Sequence, residues 1–196
     1  MLADLAARID TETRADRRVS LALSAALVLA VLVSRWPAPD TVAFVVLAVA
    51  CGPLTVIDLR SHRLPDALTG PTAAAALVVL GLTVLIGPDT LADLGRAALG
   101  AFLLLAAYLA LAIVRPGGLG LGDVKLAGVV GLYLAWCGWE AWFLGTFAAF
   151  TLGGLWALAL LLARRATGTT AFAFGPFMLV GAAVAIGLDS AGAFSF

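Results

Sequence analysis

The sequence is poor in charged residues and rich in apolar ones. Only 12% of its 196 residues are charged, 63% are hydrophobic, and the mean hydropathy is +1.08. A typical soluble domain is about 25% charged and about half apolar. Twelve basic and twelve acidic residues give zero net charge, which provides no electrostatic attraction for nucleic acid as a partner. This composition predicts a multi-pass protein of the lipid bilayer.

Residues for metal or disulfide chemistry are also scarce. Cys51 and Cys137 lie far apart, and neither has a second cysteine or a histidine at ligand spacing. We therefore expect no metal site and no disulfide framework. The single histidine, His62, lies in a short basic loop. No serine or cysteine is placed with it as a nucleophile, so we expect it to be exposed to solvent rather than part of a catalytic triad.

Seven apolar stretches, separated by polar segments or by segments rich in proline and glycine, predict about seven transmembrane helices. Six is the alternative if the short turn Gly138-Trp139-Glu140 does not separate the fifth helix from the sixth. The predicted helices cover residues 19–34, 41–57, 66–86, 91–114, 124–136, 141–163 and 172–188. We expect an all-α integral membrane bundle over residues 19–196, preceded by a short polar cytosolic tail at residues 1–18. No cleavable signal peptide is expected there.

The distribution of arginine and lysine predicts the orientation in the membrane. If the N-terminus is cytosolic, the outer segments hold only Arg35 and Arg96, and the other ten of the twelve basic residues fall on the inner side. Cytoplasmic segments carry such an excess of basic residues. The same orientation places both Asp58 and Asp123 at the cytosolic border.

These two aspartates are the strongest candidates for chemistry. Asp58 closes the second predicted helix and Asp123 precedes the fifth; ionisable groups at a membrane border are costly and therefore functional candidates. The helix dipole disfavours a carboxylate at a C-terminus and favours one at an N-terminus. We expect Asp58 to hold a shared proton and Asp123 to be ionised, a division that suits acid–base chemistry on a peptide bond. The alternatives are a solvated helix-end charge for Asp58 and an N-cap for Asp123.

Four nearby residues are candidates for positioning a substrate. Gly120 and Gly122 permit positive φ and close approach of an extended substrate backbone, although a plain turn explains them equally well. Asp66 is either the N-cap of the third helix or part of the site. Lys125 does not face Asp123 on a helix, because it is only two residues away. We expect it to reach lipid headgroups or to bind near the site.

Four segments of the sequence occur in a recognisable order: Ile57-Asp58-Leu59-Arg60, Leu64-Pro65-Asp66, Gly120-Leu121-Gly122-Asp123-Val124-Lys125-Leu126 and Phe174-Gly175-Pro176-Phe177. In them the chain resembles the type IV prepilin peptidase family of GxGD-type membrane aspartic proteases, to which the archaeal preflagellin peptidases are related. The resemblance implies that Asp58 and Asp123 are catalytic and that no cofactor is needed. It also implies a place in the inner membrane with the site facing the cytosol. The implied substrates are type IV pilin, pseudopilin or Flp-type precursors, which lose a leader peptide.

The chain departs from the larger bifunctional members of that family. Those members carry an N-terminal cytosolic insertion with paired cysteines and also methylate the new N-terminus, whereas this sequence contains no Cys-x-x-Cys. We therefore expect a peptidase without methyltransferase activity. The alternative functions are a small proton- or cation-coupled transporter, which predicts the two aspartates near mid-bilayer, and a scaffold in which they are only helix ends.

Overall fold

The computed structural model describes residues 17–61, 64, 66–114, 119–163 and 173–194. Within these residues the chain forms seven α-helices and no strand. The helices are α1 (Arg17–Arg35), α2 (Thr41–Ser61), α3 (Asp66–Ile86), α4 (Leu91–Val114), α5 (Leu121–Cys137), α6 (Trp139–Leu162) and α7 (Gly175–Ser190). Residues 1–16 of the predicted tail lie outside the described part.

The helices confirm the all-α integral membrane class. Five of the described helices, α1 to α4 and α6, are long and apolar enough to cross a membrane. The other two are shorter, with 17 residues in α5 and 16 in α7. At 1.5 Å per residue they measure about 26 and about 24 Å, slightly less than the hydrocarbon core of about 30 Å. The protein is therefore a multi-pass membrane protein.

The chain divides into two compact units, Met1–Asp89 with α1 to α3 and Thr90–Phe196 with α4 to α7. In the first unit, α1 packs on α2 and α2 packs on α3. The buried residues of α1 are Ser20 and Ser24, whereas its large apolar side chains, such as Leu21 and Val33, are exposed. Small polar residues inside and large apolar residues outside suit a helix that packs in lipid.

The contact between α1 and α2 is built around a glycine and a proline. A Cβ added to Gly52 would collide with the carbonyl oxygen of Ser20 and with Ser24 Oγ. Pro53, inside α2, has no N–H for the carbonyl of Val49 four residues earlier. Ser24 Oγ donates a hydrogen bond to that oxygen at 2.8 Å. A side chain of α1 therefore satisfies a backbone acceptor that α2 cannot satisfy by itself, as the interior of a membrane requires.

An ion pair joins the end of α1 to the start of α2. Arg35 Nη2 donates to Asp40 Oδ2 at 2.9 Å, and the guanidinium lies 3.9 Å from the ring centroid of Phe44. Thr41 Oγ1 donates to the carbonyl oxygen of Arg35 at 2.9 Å. Arg35, one of the two arginines assigned to the outer side, is therefore held by an acid, a ring and a hydroxyl of its own unit.

Helix α5 is the buried centre of the second unit. Every residue from Val124 to Trp136 except Lys125 is buried, and the helix packs against α4, α6 and α7. Such a helix, apolar on all sides, belongs in a core. The first turn of α5, which carries Asp123, is consequently anchored by the best-packed element of the unit.

Glycines allow the helices of this unit to approach closely. A Cβ added to Gly131 of α5 would lie 2.6 Å from the carbonyl oxygen of Gly100 in α4, and one added to Gly100 would collide with Cβ of Ala135. Similarly, a Cβ added to Gly181 of α7 would collide with the carbonyl oxygen of Gly145 in α6. Small residues at these crossings let the helix backbones approach, as is common in membrane proteins.

Arg96 of α4 closes the C-terminal end of α5. Its Nε donates to the carbonyl oxygen of Ala135 at 2.7 Å, and its Nη2 donates to the carbonyl oxygen of Trp136 at 2.8 Å. The last carbonyl oxygens of a helix have no N–H partner within the helix, and Arg96 supplies donors for these two. Asp93 pairs with Arg96 Nη1 at 2.8 Å. The chain then turns at Gly138, whose φ of 139° favours glycine, and α6 begins at the next residue. The predicted separation of the fifth and sixth helices is confirmed.

Candidate active site

Asp58 is a buried carboxyl group in the last turn of α2. It is 3% exposed and lies three residues before the end of the helix at Ser61. The preceding residue, Ile57, is also buried, whereas Leu59 and Arg60 are exposed. The interpretation of Asp58 as a helix-end charge in solvent is therefore wrong. Because an ionised carboxylate is expensive to bury, a carboxyl group at this depth is a candidate for a function that needs it there.

Asp123 is the third residue of α5, and it helps to begin the helix. It is 9% exposed, and its Oδ2 accepts a hydrogen bond from the backbone N–H of Gly120 at 3.2 Å. Gly120 is the N-cap, with φ −77° and ψ 148°. The helix therefore starts at Leu121, three residues earlier than predicted, and the interpretation of Asp123 as the N-cap is wrong. Its carboxylate instead reaches back to the N-cap backbone, one half of a capping box.

The two carboxyl groups occupy opposite ends of their own helices, as the sequence predicted. Asp58 lies near the carbonyl end of α2 in the first unit, and Asp123 lies near the N–H end of α5 in the second. The dipole of α2 opposes a negative charge at Asp58, and the dipole of α5 favours one at Asp123. The expected division of protons between them stays a prediction.

The two glycines do not use the positive φ that their residue type permits. Gly120 has an ordinary extended conformation, and Gly122 lies inside α5. A Cβ added to Gly120 would meet only Asp123 Oδ2 at 3.5 Å and the N–H nitrogen of Gly122 at 3.9 Å. These are ordinary contact distances, and Gly120 is exposed. The fold of the described chain does not itself require a glycine there.

The remaining predicted site residues are less informative. The side chain of Lys125 is exposed on the first turn of α5. Helix α3 begins at Asp66, in agreement with a helix start at that residue, but the side chain of Asp66 lies outside the described part of the chain. So does His62. In the ranges that the structure describes, no three His, Cys, Asp or Glu side chains group together as metal ligands would.

Sequence reasoning missed Tyr108, which lies in α4 and is 1% exposed. Its ring contacts those of Phe150 and Phe174, with centroids 5.4 and 6.0 Å away, and it interacts electrostatically with Asp123. The available signal was a single phenol in the second half of an apolar helix of 24 residues. Polar groups in such segments are costly and often functional.

Several curated bacterial proteins are similar to this chain. The protein named prepilin leader peptidase/N-methyltransferase from Escherichia coli (strain K12) is 39% identical over 143 residues, which cover 68% of this chain and 57% of that protein. The protein of the same name from Aeromonas hydrophila is 30% identical over 166 residues, covering 84% and 55%. The one from Pseudomonas putida is 32% identical over 136 residues, covering 68% and 45%. The chain spans about half the length of these relatives. No solved structure matches it.

A match to a sequence family covers residues 42–158, more than half of the chain. The family is described as the type IV leader peptidase family. The matched region begins at the start of α2 and ends within α6, and it includes both Asp58 and Asp123. The chain therefore belongs to the type IV leader peptidase family.

Proposed function

We propose that this chain is an aspartic endopeptidase that removes the leader peptide from prepilin-like precursors, with Asp58 and Asp123 as its catalytic residues. One observation carries the proposal. Inside the region that matches the leader peptidase family, both aspartates are buried, and each lies within three residues of a helix end. A buried carboxyl group at the edge of a membrane-spanning helix is costly, and peptide hydrolysis gives a reason for two of them.

The chemistry that we propose divides an acid and a base role between the two carboxyl groups. Two carboxyl groups that act on one bond do not both ionise easily, and they titrate as a pair. The ionised member takes a proton from water while the water oxygen attacks the peptide carbonyl carbon. The protonated member transfers its proton to the carbonyl oxygen as negative charge develops there, which gives a tetrahedral gem-diol. When the C–N bond breaks, the leaving amine takes the transferred proton, and the carbonyl oxygen returns its proton to the pair.

Helix dipoles support one assignment of these roles. Asp123, at the N-terminal end of α5, is the proposed base, and Asp58, at the C-terminal end of α2, is the proposed acid. The hydrogen bond from the N–H of Gly120 to Asp123 favours the ionised form of that carboxyl group. No metal or organic cofactor is required for this reaction.

Gly120 supports a proposal for substrate binding next to Asp123. The chain tolerates a Cβ at this position, and the residue is exposed. We propose that the glycine leaves room for the extended backbone of the substrate. Gly122 and the exposed Lys125 on the same turn, together with Asp66, are proposed to help position the leader.

We place the active site at the cytosolic face of the inner membrane, since ten of the twelve basic residues fall on that side in the orientation predicted by the positive-inside rule. The substrate then presents its apolar segment to the bilayer and its scissile bond to the aqueous border. We propose leader removal without methylation for this chain, whose sequence holds no Cys-x-x-Cys. Mass spectrometry of the mature N-terminus checks that point.

Co-expression with a type IV prepilin tests the proposal. We expect the chain to shorten the precursor by its leader, and we expect Asp58→Asn and Asp123→Asn each to abolish cleavage while the proteins stay in the membrane. Asp89→Asn, which changes a half-exposed carboxylate in the connection between α3 and α4, is the matched control and should cleave normally. Full cleavage by either of the first two variants would contradict the proposal.

The structure does not favour the transporter alternative. That alternative predicts carboxyl groups near the middle of a spanning helix, whereas Asp58 and Asp123 lie near helix ends.

A Gly120→Ala variant adds a further test of the peptidase, because it should fold normally and cleave more slowly. An unchanged cleavage rate would argue against substrate binding at this glycine.

A further inference from the structure

Tyr108 is buried between aromatic rings from two other helices. The Tyr108 and Phe150 centroids are 5.4 Å apart, those of Tyr108 and Phe174 are 6.0 Å apart, and those of Phe150 and Phe174 are 5.4 Å apart. The three rings come from α4, α6 and α7 and are tilted with respect to one another. Such a cluster holds the phenol ring in place and therefore fixes the position of its hydroxyl oxygen.

The register between α4 and α5 brings this phenol to the first turn of α5. The contacts of the two helices run antiparallel: Gly100 lies against Ala135 and Gly131, Leu104 against Gly131, and Leu105 against Gly128. As the residue number rises along α4, it falls along α5. One further turn of each helix places Tyr108 beside the turn that begins at Asp123.

The electrostatics agree with this register. The phenol of Tyr108 and the carboxyl group of Asp123 interact electrostatically, although the two residues are on different helices. Burying a hydroxyl in an apolar helix is unfavourable unless it has something to interact with, and a leucine would fill the same volume among the rings without that cost. The phenol therefore has a role that its ring alone does not explain.

We infer that Tyr108 is a positioning residue for Asp123, whose hydroxyl dipole orients the catalytic carboxyl group while Phe150 and Phe174 hold its ring. This inference rests on the proposed peptidase function. It places Tyr108 outside direct contact with the substrate, acting only through Asp123. Removal of the hydroxyl should therefore change the rate of the chemical step and leave substrate binding unchanged.

The two tyrosines of the chain provide a matched experiment. Tyr108→Phe removes the hydroxyl that interacts electrostatically with Asp123 and retains the ring. Tyr133→Phe removes the same group from another buried tyrosine, which is 0% exposed. Tyr133 lies ten residues after Asp123 in α5, a distance of about 15 Å along the helix. Both variants and the wild type are purified in detergent, and kcat and KM for a purified prepilin are measured per folded molecule, together with thermal unfolding.

We expect Tyr108→Phe to lower kcat about tenfold, a change that a single lost interaction with a charged group can produce. KM should stay within about twofold, and the unfolding temperature should not change. Tyr133→Phe should retain the wild-type kcat. A wild-type kcat in Tyr108→Phe would overturn the inference. So would an equal loss in both variants, or a loss that appears only in KM or only in stability.

The failure of this inference can be distinguished from failure of the proposed function. If Asp123→Asn is inactive and Tyr108→Phe is as active as the wild type, only the role of Tyr108 is overturned. If Asp123→Asn still cleaves the prepilin at the wild-type rate, both the aspartic mechanism and the role of Tyr108 are overturned.

Discussion

Ser24 Oγ donates a hydrogen bond of 2.8 Å to the carbonyl oxygen of Val49. Pro53 has no N–H to donate to the carbonyl oxygen of Val49. The hydrogen bond from Ser24 satisfies this acceptor in place of the missing backbone bond of α2. The same helix carries Asp58 about one turn and a half beyond Pro53. The packing of α1 on α2 therefore supports the segment of α2 that leads to the first candidate catalytic residue.

We expect Ser24→Ala to destabilise the protein by about 0.5–2 kcal/mol, the range for hydrogen bonds between helices in membranes. Reversible unfolding in mixed micelles measures this change. If the bond compensates for the proline, Ser24→Ala should cost much less in a Pro53→Ala background, where an N–H is available again. Ser34→Ala, at an exposed hydroxyl with a longer bond of 3.4 Å to its own helix, is the control. Equal losses in both backgrounds would contradict the account.

Arg96 should stabilise the protein through the far end of α5. Arg96→Gln removes the ion pair with Asp93 and the charged guanidinium that donates two hydrogen bonds to carbonyl oxygens at the end of α5. We expect a loss of about 1–3 kcal/mol, because buried acceptors lose their donors. Arg18→Gln, at an exposed position near the start of α1, should change the free energy of unfolding by less than about 0.5 kcal/mol. Equal effects of the two substitutions would show that Arg96 does not cap the helix.

Gly131 should not accept even a methyl group. An added Cβ would lie 2.6 Å from the carbonyl oxygen of Gly100, and the backbone of α4 would have to move. We expect Gly131→Ala to reduce stability by about 1–3 kcal/mol, as overpacking does. A matched control is Gly154→Ala on α6, where an added Cβ meets nothing within 4 Å. It should be neutral or slightly stabilising, because alanine favours a helix. A neutral Gly131→Ala would contradict the close crossing.

The predicted orientation can be tested by labelling of cysteines. In a background with Cys51→Ala and Cys137→Ala, single cysteines are introduced at exposed positions near the two aspartates, Leu59→Cys and Leu121→Cys, and at the opposite helix ends, Ile86→Cys and Glu140→Cys. A membrane-impermeant maleimide applied to spheroplasts should label only the second pair. The first pair should react after the membrane is permeabilised. The reverse pattern would place the candidate site on the wrong side.

The sequence predicted the helices well because their ends carry strong local signals. Prolines, glycines and single charges interrupt the apolar runs, and the predicted starts of α2, α3 and α4 coincide with the observed ones. The start of α5 was placed too late, because the hydrogen bond from Gly120 to Asp123 begins the helix before the apolar run does. Local composition could not show which of two cap positions the aspartate takes.

The details of the candidate site were harder to predict, because they depend on contacts between helices. The ring cluster around Tyr108 involves residues that are distant in sequence. Nothing in the pattern near Tyr108 indicates that Phe150 and Phe174 hold its ring. The two aspartates themselves were found because a charge at the end of an apolar run is conspicuous in any membrane sequence.

The residual cleavage rates of aspartate variants test whether Asp58 and Asp123 act together on one peptide bond. Wild-type protein, Asp58→Asn, Asp123→Asn and the double variant are reconstituted in liposomes with a prepilin, and their kcat values are compared. When two groups act as a unit, the losses in kcat caused by removing each of them do not multiply in the double variant. We expect the kcat of each single variant to be at least about a thousandfold below that of the wild type. The kcat of the double variant should be no more than about tenfold below that of either single variant. A single variant within about tenfold of the wild type, or losses that multiply in the double variant, would contradict joint action.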